Sequence, residues 1–170
     1  MTHQIVSQAH LALRRTAAPV APSEIPTREF QSLIDDMFRA LYQCTSPRGM
    51  GLAAPQVGVS KRLFVVDLQQ DGFQPICLVN PALVAAEGEA VSIEGCLSLP
   101  SFAGKVKRSA SVTLTGQDRK GRARRIEASG LLAYCLQHEL DHLNGVLYVD
   151  LAETVRPLAD YRAPQKHARE

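Results

Sequence analysis

Two histidines four residues apart, His138 and His142, enclose a carboxylate in the run His138-Glu139-Leu140-Asp141-His142. On a helix this spacing brings both imidazoles out on one face, one turn apart, where they can bind a single metal ion together. Glu139 follows the first histidine directly, so its carboxylate can stand beside an open coordination position and take a proton from water there. The bland alternative is a surface helix with incidental histidines, but the flanking residues Leu131, Leu132, Cys135, Leu136 and Leu143 are apolar. A third ligand has to come from elsewhere. Downstream, Glu153 and Asp160 are available, while His167 lies in a polar tail. Upstream, Cys96 stands in Glu94-Gly95-Cys96-Leu97-Ser98-Leu99-Pro100, between a strand and a proline-containing turn. The glycine lets backbone approach something closely, and a thiolate is a soft ligand for a divalent transition metal. One Cys and two His leave a coordination position open, as catalytic sites do, whereas a closed Cys₂His₂ structural site would also recruit Cys135, on the same helix face as His138.

A third segment, Gly49-Met50-Gly51-Leu52-Ala53-Ala54-Pro55-Gln56, lacks the spacing of a phosphate-binding loop or a dinucleotide fingerprint. Small residues around one Gln suit a place where substrate backbone lies against protein backbone, with a side-chain amide as donor.

These segments need elements to carry them. Phe30, Leu33, Ile34, Met37, Phe38 and Leu41 recur at helical spacing between Pro26 and Cys44, with Thr27 as N-cap and Pro47 as stop. Strands are expected at Arg62 to Leu68, Gln74 to Asn80 and Ala82 to Ala86. The alternation from Val106 to Thr115 predicts one half-buried strand, which Asp118 to Gly121 turns back into another near Arg122 to Glu127. Ser129 is expected to cap the helix bearing the histidines, and Asn144 and Gly145 to end it. Strands first, one late helix and no βαβ alternation predict an α+β fold with largely antiparallel sheets around that central helix.

At 170 residues the chain reads as a single domain, 1–170, large enough to bury its own core without a stapling metal or disulfide. A metal site is then functional by default. Four dispersed cysteines in a chain of this size argue against a disulfide framework. The balance of 19 basic against 17 acidic residues, net +2, is too even for a protein that lives by neutralising phosphates. No apolar run reaches membrane-spanning length. The first residues, with Arg14 and Arg15, superficially suit a targeting peptide, but no apolar stretch follows them. Residues 163–170 are polar and are expected to fray.

Taken together, G-x-G-x-A-A-P-Q, E-G-C-L-S and Q-H-E-x-D-H resemble the three signature motifs of the peptide deformylase family, in that family's order. Val79-Asn80-Pro81, the run Leu143 to Asp150, and Leu13-Arg14 with Ala17-Ala18-Pro19-Val20 extend the resemblance over about residues 5–150. It implies a peptide deformylase fold and a metallohydrolase that removes the formyl group from N-formylmethionine of newly made proteins, giving formate and a free N-terminal methionine. Cys96, His138 and His142 would ligate one divalent ion, ferrous iron with zinc, nickel or cobalt as substitutes. Glu139 would serve as general base and then general acid, and the Gln56 amide and Leu97 N–H would stabilise charge on the formyl oxygen. Met50, Gly51 and Gly95 would pair with the extended peptide, and Leu131, Tyr134 and Cys135 would line the methionine pocket.

The resemblance further implies formyl-methionyl peptides and nascent chains as partners, transient proximity to the ribosome, no stable nucleic-acid or membrane binding, and the cytoplasm of a bacterium or an organelle. Two competing readings are an H-E-x-x-H endopeptidase and a structural-metal or peptide-binding module on the same fold. Two departures stand out. His10-Leu11 replaces the family's Asp-Pro, and Ala103 stands where many members carry an Arg at the groove mouth. Lys105, Lys107 and Arg108 are expected either to compensate or to form a solvated strand face. Cys44 and Cys77 are expected to be buried apolar cysteines.

Overall fold

The first long helix, α1 (Arg28–Gln43), begins where Thr27 accepts the Phe30 amide on its hydroxyl at 3.2 Å, closing the first turn as an N-cap does. Phe30, Leu33, Ile34, Met37 and Leu41 are all buried on one face of it. The structure, a computed structural model, describes residues 3–162.

Eight strands follow: β1 (Gly51–Ala53), β2 (Leu63–Val66), β3 (Ile76–Glu87), β4 (Ala90–Cys96), β5 (Leu99–Arg108), β6 (Ser111–Gln117), β7 (Ala123–Ser129) and β8 (Thr154–Pro157). They form a five-stranded sheet ordered β1-β2-β3-β6-β7 and a three-stranded sheet ordered β4-β5-β8. Every pairing between them is antiparallel. The second long helix, α2 (Gly130–Leu143), packs against β1, β2 and β7, and two short helices, α3 (Tyr148–Leu151) and α4 (Leu158–Arg162), flank β8. This is the expected α+β arrangement around a central helix.

β2 explains the layering. Leu63 and Val65 join the apolar cluster under α1, whereas Phe64 and Val66 join a second cluster with Leu78, Leu114, Leu136 and Leu143. Buried on both faces, the strand reads as a continuous apolar run, and each such side chain contributes about 1.5–3 kcal/mol.

Several expected boundaries shift. The segments 74–80 and 82–86 are one strand, β3, not two. Asn80 adopts φ 51° and the register slips between Val79 and Ala82, so a bulge absorbs Pro81, which has no N–H for a ladder. The Asn80 side chain then accepts the Val20 amide at 2.8 Å and donates to the Val20 carbonyl at 2.9 Å, tying down the N-terminal segment. The predicted strand 106–115 is in fact two, β5 and β6, in different sheets. Val106, Arg108, Val112 and Leu114 are all buried, so the inward phase runs on through the junction at Ser109 and Ala110.

Ser129 occupies the N-cap position of α2, but its hydroxyl makes no cap bond. The other end is as expected: Asn144 is the C-cap and Gly145 takes φ 76°, a left-handed conformation that costs glycine little. His10 takes up a capping role, accepting the Ala12 amide on Nδ1 at 3.2 Å. Cys44 and Cys77 are half-buried rather than buried, because one sits at the end of α1 and the other at the margin of the α1 core; all four cysteines are free. The expected fraying tail, 163–170, lies outside the described residues. No helix among the described residues is long and apolar enough to cross a membrane.

Candidate active site

α2 buries its apolar positions Ala133, Leu136 and Leu143 in the second cluster, which orients its histidine face toward the end of β4. There Cys96 pairs with Leu99 across the two-residue turn Leu97-Ser98. The ligand atoms of Cys96, His138 and His142 all lie within 4.8 Å of one another, with Cys96 Sγ 3.3 Å from His142 Nε2. The two imidazole rings meet edge to face at 85°, so they converge on one point. One soft sulfur and two ring nitrogens suit a divalent first-row transition metal. Cys135 is outside this group, and burial pushes its thiol well above 9.0. Its sulfur is not among the converging ligand atoms, which disfavours the closed Cys₂His₂ arrangement.

A buried polar chain holds His138. Its Nδ1 lies 2.9 Å from Glu94 Oε2, which leaves Nε2 directed at the ligand point and raises its basicity. Arg108 donates to both Glu94 oxygens, at 2.7 and 2.8 Å, and to Asp141 Oδ2 at 2.6 Å. Burial alone would raise the Glu94 carboxyl, but hydrogen bonds from Arg108 and His138 outweigh it and bring the pKa down to about 2. Burial pushes His142 well below 6.5, whereas at His138 burial is outweighed by the hydrogen bonds to Cys96 and Glu94, which push the imidazole well above 6.5. Gln137 fixes the helix from the other side, accepting the Ser109 amide and donating to the Ser109 carbonyl, both at 3.0 Å.

Glu139 is different. It is 3% exposed, and its Oε2 has no hydrogen-bond partner among the described residues. Burial is the main cause that pushes its pKa up to about 7. Gly51 makes room for it: a Cβ there would stand 2.8 Å from Glu139 Cδ and closer still to Oε1. Gln56 sits in the 3₁₀ turn Ala54–Val57, where its Oε1 accepts the Ala53 amide at 2.8 Å and its Nε2 donates to Cys96 Sγ at 3.4 Å.

A cavity of about 220 Å³ opens onto these groups. Met50, Gly51, Gln56, Gly95, Cys96, Leu97, Leu131, Tyr134, Cys135, His138 and Glu139 all line it, so two sequence segments and one helix face converge on one space. His142, in contact with Cys96, is outside the lining. The Met50 carbonyl already accepts the Asp67 amide at 2.8 Å within the sheet.

Two expectations are corrected here. Ala103 is fully buried, paired with Gly95 in β4 and Arg156 in β8, and is not in the cavity lining, so it does not stand at the groove mouth. Arg108 is neither a substitute for that mouth arginine nor solvated, since its charge is consumed by Glu94 and Asp141. Lys107 does remain exposed, facing Glu153 at 3.6 Å. Sequence reasoning missed the roles of Glu94, Arg108 and Gln137. A usable signal existed: Ser92, Glu94 and Cys96 share the inward phase of β4, and a carboxylate in that phase requires a partner.

Residues 2–157 match the family described as Polypeptide deformylase. The chain is 47% identical over 151 residues to a peptide deformylase of Desulfitobacterium hafniense, covering 89% of this chain and 95% of the relative. Its fold is similar to a crystal structure of a peptide deformylase from Legionella pneumophila, with TM-score 0.82, 43% identity and coverage of 90% of this chain and 87% of that one. A Synechococcus elongatus peptide deformylase in complex with actinonin is similar at TM-score 0.79 and 40% identity, covering 88% and 78% of the two chains.

Proposed function

The chain belongs to the polypeptide deformylase family, and from that premise we propose how its own residues carry the reaction. The enzyme is a metal-dependent hydrolase that removes the formyl group from the N-terminus of newly synthesised proteins, releasing formate and a free N-terminal methionine. Cys96, His138 and His142 hold the ion, and their donor set fits iron(II), with zinc, nickel or cobalt as substitutes. When bound, the ion supplies Lewis acidity and a water acidified toward neutral pH.

Glu139 takes the proton of the attacking water and returns it to the departing amine. A carboxyl pushed up to about 7 by burial is matched to that exchange near neutral pH. The Gln56 amide, which touches Cys96 Sγ, and the N–H of the next residue, Leu97, meet the charge that grows on the formyl oxygen, a donor effect worth roughly 10² to 10³ in rate. Leu131, Tyr134 and Cys135 form the apolar wall for the methionine side chain. Gly51 and Gly95, with Met50, pair with an extended peptide backbone, which makes small demands on sequence beyond the first residue.

The observation that carries this reading is the buried, unpartnered Glu139 carboxylate directly beside a converging Cys-His-His set at the floor of a cavity. We place the whole chain in one catalytic unit, working in the bacterial cytoplasm on formyl-methionyl peptides and nascent chains, with transient ribosome contact. The test is formate release from a formyl-methionyl peptide by protein loaded anaerobically with iron(II). Release no greater than that of Glu139→Ala would overturn the assignment.

A further inference from the structure

The cavity has one cation in its lining besides the metal-site histidine, Arg48. It is exposed, whereas the acids in that lining, Glu94 and Glu139, are 7% and 3% exposed and lie at the floor. Arg48 therefore stands at the open end with no rim carboxylate competing for it within the lining.

Its guanidinium is held in place. Nε donates to Gln69 Oε1 at 2.9 Å and Nη2 to the Gln69 carbonyl at 3.2 Å, while Gln69 Nε2 donates to the Gly49 carbonyl at 2.7 Å. Gln69 itself adopts φ 52°, and its amide is bound by Asp67 Oδ1 at 2.7 Å, with Tyr42 donating to Asp67 Oδ2 at 2.8 Å. This chain of bonds fixes the rim without using Nη1, which has no partner among the described residues. A guanidinium ordered in advance loses little freedom when it binds an acceptor. Arg48 lies three residues before Gly51, at most about 10 Å of chain. An extended peptide whose first residue sits against Gly51 brings its second or third residue alongside that rim, at about 3.3 Å per residue.

We infer that Arg48 is a specificity-determining residue that favours formyl-methionyl peptides with an acidic side chain at the second or third position. The inference rests on the deformylase reading above and refines its substrate class. Because the pair forms at an exposed rim, the preference is modest and screened by salt. It acts through binding rather than the chemical step, so it falls on KM.

The test compares formyl-Met-Ala-Ser with analogues carrying Asp or Lys at the second or third position, at low and at 1 M salt. The wild-type enzyme should favour the better Asp peptide over its Lys counterpart by about five- to tenfold in KM, with kcat nearly equal, and the ratio should approach one in 1 M salt. Arg48→Lys should keep the order, and Arg48→Glu should reverse it. Equal KM values with normal formate release overturn the inference and leave the deformylase reading standing. A uniform loss on all peptides in Arg48→Glu, without reversal, assigns Arg48 to loop structure and also overturns it. No formate release from any peptide overturns both.

Discussion

The two sides of this molecule are built from opposite materials. Under α1, the core consists of Ile34, Met37, Leu41, Leu52, Leu63 and their neighbours, and the buried acid of that helix, Asp36, pairs outward with the more exposed His3 and Arg39. Beside the β4–β5 sheet the apolar cluster shrinks to Cys96, Val106 and Tyr148 with a few partly buried neighbours, and the space toward α2 is filled by Glu94, Arg108, Asp141 and His138. The apolar side stabilises by removing surface from water. The charged side recovers little net stability, since desolvation offsets the attraction of its pairs. What it supplies is direction: each buried charge has a fixed partner, so His138 has a single orientation. Glu139, the carboxylate excluded from that chain of partners, is the one left able to exchange a proton.

The comparison can be broken most severely at the ligands. Cys96→Ser should lower metal affinity by more than the 10- to 100-fold typical of losing an outer partner, whereas Cys135→Ser should retain about one ion per chain; elemental analysis after gel filtration separates them, and an emptied site in Cys135→Ser would restore the closed four-ligand arrangement. Next in size, Arg108→Met leaves buried Glu94 with His138 as its one remaining side-chain partner among the described residues and should cost about 3–5 kcal/mol in urea unfolding, with a loss of activity as His138 loosens. Because the Glu94 carboxyl is held below its ordinary 4.5, down to about 2, its contribution is complete above 4.5 and disappears as pH falls toward 2. Wild-type stability should therefore decline across that window more steeply than that of Arg108→Met. Smallest for function is Leu41→Ala, which should cost about 2–5 kcal/mol yet leave kcat per folded molecule and metal content unchanged. A parallel fall in kcat would mean that the two sides are not separable.

Legibility followed the same division. The α1 stripe, the apolar run of β2 and the spacing of His138, Glu139 and His142 are local patterns, so α1, β2 and the ligand-bearing face of α2 were readable before any packing was known. Cys96 and Gln56 were readable as chemistry and as family motifs. The partners of Arg108 were not, because Glu94 and Asp141 are 14 and 33 residues away in sequence, and strand periodicity says only that a side chain points inward. The β5–β6 junction was hidden for a related reason: the inward phase is preserved across it, so alternation alone cannot tell one strand from two. β8 had no signal at all, since Thr154 to Pro157 are exposed throughout.

The placement of the ligands also sets an order of manufacture. Cys96 and His142 are 46 positions apart, and α2 reaches its orientation only by lying on β1, β2 and β7. A chain emerging from its N-terminus exposes the thiol well before either imidazole exists. The proposed coordinating trio thus closes only after α2 has been made and has docked on strands made before it, so the ion is captured by a chain whose sheets are already assembling rather than guiding its early folding. Until that moment Cys96 is a lone thiol open to oxidation, so the interval between its emergence and the docking of α2 is when an oxidising cell would do this enzyme most harm.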